Sequence, residues 1–396
     1  MLDLNFKCPP KIDPNVSRAL RDLLSDPKYG FLKILNNKES FLKENSQIPE
    51  ILPGHQVAII GIGGSSQGAR SLLCAIDPGA VDRGDYLFFD RIDESFLERQ
   101  VKLIRDIKNV TWFINSKSGS TTETLIILNT VLEKTDGGFL ETPGSIYVST
   151  ENKSSVLFNW AKEHHCKLIS TPDDIEGRFS LLSEEGVFPL SPKVKWSDLN
   201  LATQWVNNNL NLVEQLSSFY LESYRQQKWI SVFWLYSERF KEFGFWLEQL
   251  WAESLGKFSD SERRASTPLC CMGTNDQHSL LQQMNEGFAD KSYTFLQVGK
   301  SNTENSYNQN YINKELDYLS NYNLSHLLRT YCKSTYESLE NGPKLMITLA
   351  NTEAQTFYAL HVVMALVIGT IGKSLNIEIY GQPGVEKSKA IFKELL

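Results

Sequence analysis

Five short apolar runs separated by helical spacers constrain this chain more than any other feature of its sequence. They are "QVAIIGIGG" (56–64), "DYLFFD" (85–90), "VTWFIN" (110–115), "GSIYVST" (144–150) and "CKLIST" (166–171), with spacers such as "DESFLERQVKLIRDI" between them. Strands that alternate with helices need crossover connections, and those build a parallel sheet covered on both faces. Four later runs, "WISVFWLY" (229–236), "TPLCCMG" (267–273), "SYTFLQVG" (292–299) and "PKLMITLA" (343–350), read as a second set. A chain of 396 residues exceeds what one hydrophobic core usually supports. The expected fold class is α/β, with two α/β sandwiches joined around residues 190–205.

Outside the two sandwiches, residues 12–45 carry a helical pattern. "NVSRALRDLL" supplies an apolar face, with Asn15 or Ser17 available as a cap. The expected division is a helical N-terminal extension (1–48), a first α/β domain (49–192), a second (193–375) and a C-terminal segment (376–396). The run "FYALHVVMALVIGTIG" (357–372) has sixteen residues and contains His361. That is short of the ~20 needed to span a bilayer, so a buried helix is expected. The polar stretch "NTENSYNQNYINKELDY" (302–318) reads as a loop or lid.

Charge and cysteine usage narrow the function. A net charge of −7 argues against nucleic acid or an anionic membrane as partner. Cys8, Cys74, Cys166, Cys270, Cys271 and Cys332 form no CxxC pair and no metal-ligand spacing. Adjacent Cys270 and Cys271 sit in an apolar run and read as small core residues. Reduced thiols in the cytosol fit best, and "MLDLNFKCPPKIDP" has no apolar stretch of a signal peptide.

The stretch "NSKSGSTTETL" (115–125) holds six hydroxyl side chains and one lysine. It stands where a buried strand gives way to a helical pattern, as does "GIGGSS" (61–66). In an open parallel sheet, ligands bind beyond the carboxyl ends of the strands. Helix N-termini there offer unpaired N–H groups and a positive dipole end, which suits a phosphate. Gly63 and Gly64 would admit the anion close to the backbone. Ser65, Ser116, Ser118 and Thr121 supply hydroxyls and Lys117 a charge. Neither stretch is a Walker motif, and a capped turn would explain either one alone.

Taken together, the two stretches resemble the sugar-isomerase (SIS) phosphate signature of the glucose-6-phosphate isomerase family, in its short bacterial form. Four more segments match that family in order: "GRFSLLSEEG" (177–186), "QLWAESLGK" (249–257), "GTNDQHSLLQ" (273–282) and "QPGVEKSK" (382–389). The resemblance implies two SIS-type three-layer α/β/α sandwiches with helical terminal extensions. It implies reversible isomerisation of glucose 6-phosphate and fructose 6-phosphate, in glycolysis and gluconeogenesis. The proposed route is ring opening and proton transfer through a cis-enediol, with no cofactor and no metal.

Moving a proton between adjacent carbons needs a carboxylate base, an enediolate stabiliser and a shuttle for ring opening. The resemblance places the base at Glu253, where Leu250 and Trp251 offer apolar surroundings of a kind that raises a carboxyl pKa. Arg178 falls on the stabilising arginine. His278 falls on the histidine that handles the ring oxygen and that, in the family, comes from the neighbouring subunit of a homodimer. Lys389, rather than Lys387, falls on the ring-opening lysine; the two would point about 200° apart on a helix. Gln249 and Gln382 are the expected sugar contacts. Departures from the family pattern fall at Arg91, His361 and Gly381.

Two other readings stay open on sequence grounds. A non-catalytic SIS regulator would keep the phosphate cradle but lack the base or shuttle, whereas all four catalytic matches are present. An isomerase that also accepts mannose 6-phosphate would share the same residues.

Overall fold

The computed structural model describes residues 1–36, 50–258, 264–299, 314–320 and 322–395. Its contacts divide the chain into two units, Asp26–Gln204 and Met1–Ser25 with Trp205–Leu396. The strands are β1 (Leu2–Phe6), β2 (Gln56–Ile60), β3 (Tyr86–Phe89), β4 (Val110–Asn115), β5 (Ile146–Thr150), β6 (Lys167–Ser170), β7 (Ile230–Tyr236), β8 (Thr267–Met272), β9 (Lys291–Val298) and β10 (Lys344–Leu349). The expected runs form β2 to β10, and β1 is an addition.

In the unit Asp26–Gln204 the sheet order is β3-β2-β4-β5-β6, parallel throughout. Every residue of β2, β3 and β4 is buried, as expected where helices cover both faces. Alternate residues of β4 serve opposite faces. Trp112 meets Phe89 at 5.6 Å and Phe139 at 4.4 Å, while Phe113 stacks on Tyr147 at 5.3 Å. The one polar side chain opening β2 is fully employed: Gln56 Nε2 donates to the Gly84 and Leu103 carbonyls, and its Oε1 accepts from Arg105 N–H. A buried amide so satisfied fixes the strand's entry without a desolvation cost left over.

In the other unit the order is β1-β10-β9-β7-β8, parallel except for β1, which runs antiparallel to β10. The N-terminal segment is therefore not purely helical: residues 2–6 cover an edge strand that would otherwise expose its pairing groups. The following helix, Pro14–Leu24, starts at Asp13, whose carboxylate accepts from Asn15 N–H at 2.9 Å. Pro14 at the first helical position takes precedence over Asn15 and Ser17, because its fixed φ favours that start. Residues 30–36 add short helical turns, while 37–45 lie outside the described residues. Residues 1–25 group with 205–396, and the boundary between units falls inside the helix Trp196–Asn207.

The apolar run near the C-terminus extends to a helix of 22 residues, Ala354–Leu375. It is long and apolar enough to cross a membrane, yet 89% of its apolar window is buried within the fold. It packs against the helices Pro14–Leu24 and Leu210–Arg225. Cys271 joins the core on the far side of the sheet, whereas Cys270 is half-buried and donates its N–H to Glu248. Of the expected polar loop, residues 302–313 lie outside the described part, and Lys314–Leu319 forms a 3-10 helix.

Candidate active site

Both glycine- and serine-rich turns lie at the carboxyl ends of neighbouring strands, β2 and β4. Each leads directly into a helix, Gly64–Ile76 and Thr122–Lys134. The amide-rich starts of these two helices thus share one end of one sheet, as an anion site requires. The turns are tied together by a residue not singled out from sequence. Asn115, 2% exposed at the end of β4, donates through Nδ2 to the Ser65 carbonyl at 3.1 Å. A polar residue closing an otherwise apolar strand was the available signal.

Within the second turn, buried Ser116 donates its hydroxyl to Thr121 Oγ1 at 3.0 Å. Ser118 is exposed and accepts from the Ser120 N–H and hydroxyl. Gly119 has φ +63°, and a Cβ there would lie 2.0 Å from Ser155 Oγ, so the turn needs glycine on both counts. Lys117 is directed elsewhere in this structure: its ammonium donates to the Asp173 carbonyl at 3.0 Å and stands 3.7 Å from Glu151.

Gly64 has a different reason to be glycine from the one expected. A Cβ on it would come within 2.2 Å of Gly177 C and 2.4 Å of Arg178 N. Instead of leaving room for an anion, Gly64 leaves room for the backbone that carries Arg178. Ser180 closes the contact by donating to the Gly64 carbonyl at 2.6 Å. Arg178, 2% exposed, is thereby anchored beside the first helix start.

Glu185 was also missed by sequence reasoning. It follows Arg178 in the same matched segment and is 5% exposed. Burial pushes its carboxyl up to about 7, against the opposing pull of the Ser149 hydroxyl and Lys117. No pattern in "SEEG" distinguishes a buried glutamate from a solvated one.

The remaining candidates belong to the other unit. Glu253 is half-buried near the end of the helix Lys241–Leu255 and accepts from Gln249 Nε2 at 3.0 Å. Leu250 and Trp251 turn into the core, Trp251 donating its indole N–H to the Ser266 carbonyl. Gln249, expected on the sugar, is thus found on the expected base, Glu253. Just past the helix, Lys257 donates to the carbonyls of Glu378 and Tyr380 at 2.7 and 2.8 Å. It holds the root of the "QPGVEKSK" segment beside the end of Glu253's helix. Beyond that root Gln382 and Lys389 are exposed, and Lys389 pairs with Glu386 at 2.8 Å.

His278 does not join them. Trp251 meets Phe233 at 5.4 Å, which puts Glu253's helix on one face of the sheet. The segment after β8 leads to the opposite face, where Gln277 donates to Thr335 and Met284 packs with Trp234 and Tyr336. Trp251 is level with the start of β8 through Ser266, whereas Asp276 accepts from Met272 N–H at its end. The six residues of β8 span roughly 20 Å. Exposed His278 and Glu253 therefore occupy opposite faces and opposite ends of the same sheet.

The sequence departures are benign in structure. His361 is fully buried against Phe243 and Trp246, its Nδ1 2.7 Å from the Phe357 carbonyl. Burial pulls its pKa down to about 4, so it stays neutral. Arg91 pairs with Asp90 and lies over Phe96. Gly381 takes φ +75°, a conformation that an acid in its place would adopt at a cost.

A family model described as phosphoglucose isomerase matches residues 54–396. The glucose-6-phosphate isomerase of Methanocaldococcus jannaschii is 28% identical over 98% of this chain and 94% of its own length. That of Campylobacter jejuni is 28% identical over 96% of this chain and 95% of its own. Among solved structures, a hypothetical protein from Thermus thermophilus shares the fold with a TM-score of 0.86 at 24% identity, covering 100% of this chain and 99% of that one. A glucose-6-phosphate isomerase from Chlamydia trachomatis follows at 0.73 and 18%, covering 97% of this chain and 74% of that one.

Proposed function

The chain belongs to the phosphoglucose isomerase family, and on that premise we propose that it interconverts glucose 6-phosphate and fructose 6-phosphate with Glu253 as the proton carrier. It is an isomerase of sugar phosphates. The observation that supports the site most strongly is the pair of adjacent helix starts at Gly64 and Thr122, with Arg178 anchored on the first.

The phosphate sits in the hydroxyl-lined turns, held by Ser65, Ser116, Ser118 and Thr121 and by the helix N–H groups. This binding energy, remote from the reacting carbons, positions them for Glu253. Lys389 and His278 open the ring. Glu253 takes the proton from C2 of the open aldose, the cis-enediol forms, and the same carboxylic acid returns the proton to C1. Arg178 stabilises the developing oxyanion. Gln249 keeps the carboxylate aimed, and Gln382 contacts the sugar.

The separation of His278 from Glu253 supports a homodimer in which His278 of one copy completes the other's site. Six free cysteines, among them exposed Cys8, favour the reducing cytoplasm. Conversion of fructose 6-phosphate by purified protein in EDTA, with Glu253→Gln alongside, tests the reading. Turnover in wild type and a loss of roughly 10²–10⁴-fold in the variant are expected. Equal turnover in both would remove Glu253 from the base role, and binding without turnover would point to a regulator.

A further inference from the structure

A cleft of about 810 Å³ opens within the unit Met1–Ser25 with Trp205–Leu396, lined by none of the residues matched to the family's site. It lies at the amino end of the second sheet. Trp229 immediately precedes β7 and Arg264 precedes β8 by three residues, whereas His278 follows β8 at the other end. The helix Pro14–Leu24, along most of its length, and the C-terminal ends of Leu210–Arg225 and Ala354–Leu375 close it on the remaining sides.

The lining carries four cations, Arg18, Arg225, Arg264 and Lys373, against two carboxylates, Asp13 and Asp22. That surplus is local, in a chain of net charge −7. Asp13 caps the helix Pro14–Leu24 and pairs with Arg225, which also pairs with Glu222 at 3.2 Å. Arg264 lies over the Trp229 ring at 4.2 Å, and that ring is stacked nearly parallel to Tyr224. A guanidinium engaged through its face keeps its N–H donors, which lie in its plane, for a forked contact with an oxyanion. The volume is in the range of small-molecule sites, about 300–1,000 Å³.

We propose that this cleft binds a small organic anion bearing two or more phosphate charges, with Arg264 and Arg18 as its principal contacts and Lys373 as a further cation. The lining's cations exceed its carboxylates by two, a surplus that an anion with two negative charges matches and a neutral ligand leaves unanswered. The site is independent of the isomerase reading, because it uses no residue of that chemistry. A bound anion would link three helices and so stabilise the fold by mass action.

Calorimetric titration of the full chain with pyrophosphate, in low-salt buffer, tests the proposal. Three proteins are compared: wild type, a cradle variant (Ser116→Ala with Thr121→Ala) and a cleft variant (Arg18→Ala with Arg264→Ala). The cradle variant is expected to keep one binding event, and the cleft variant to lose that event by about tenfold or more in affinity. Melting temperature without pyrophosphate and isomerase turnover should match wild type in the cleft variant. Should that variant fold poorly, Arg264→Lys keeps the charge without the fork and should still weaken binding. Pyrophosphate binding that vanishes in the cradle variant, or that is unchanged in both cleft variants, overturns the assignment.

Discussion

Gln249 and Glu253, one turn apart on the same helix, share a 3.0 Å hydrogen bond from the amide Nε2 to the carboxylate Oε1. The bond fixes one oxygen of the proposed base, so it separates two roles for Gln249. Gln249→Leu should lower kcat roughly tenfold with a smaller change in KM, because the base loses its aim. A rise in KM at unchanged kcat would make Gln249 a sugar contact only.

Gly64 is packed against the Gly177–Arg178 backbone, with 2.2 Å available where a Cβ would stand. Neither neighbour is a flexible side-chain end, so the backbone itself must shift. Gly64→Ala should cost about 2 kcal/mol in urea unfolding and reduce turnover as Arg178 moves. Wild-type stability and turnover in this variant would mean that the helix start can give way.

His278 and Glu253 lie on opposite faces of their sheet, which predicts complementation between copies. Glu253→Gln and His278→Ala should each be inactive alone. Mixed, unfolded and refolded together, they should recover about a quarter of wild-type turnover, since half the dimers are hybrid and each hybrid holds one intact site. No recovery would place both residues of a site on one chain.

Glu185 gives stability an alkaline liability. Its carboxyl is held at about 7, above the 4.5 of an unfolded chain, so the folded state keeps a proton that the unfolded state releases. Its contribution is full below the unfolded value and is lost as pH rises toward 7, by up to about 3 kcal/mol. Glu185→Gln should flatten that decline in urea midpoints between pH 5 and pH 8. An unaltered slope would assign the decline to other groups.

His361 acts in the opposite sense. Its folded pKa of about 4 lies below the usual 6.5, so only the unfolded chain takes up a proton in that interval. Stability should fall as pH drops from 6.5 toward 4, again by up to about 3 kcal/mol. His361→Phe keeps the aromatic contacts with Phe243 and Trp246 and should weaken the acid dependence, read from melts at pH 7 and pH 5.

The sequence by itself determined the strands β2 to β10, the parallel character of both sheets and the position of the two hydroxyl-rich turns. Each of these rests on local order: apolar runs of strand length, helical spacers, and small residues where a strand hands over to a helix. The six ordered segments likewise carried the family, because each is an unbroken stretch of the chain.

Tertiary structure alone decided the rest. "LDLNF" becomes β1 only because β10 offers an open edge more than three hundred residues later. Gly64 is required by a backbone from residue 177, and Glu185 is buried by its surroundings although its own segment is charged. His278 is carried to the far face of the sheet by the path of the chain after β8. These are contacts between residues distant in sequence, or choices of face. Local periodicity records which residues are apolar and how often, but not which surface they will meet.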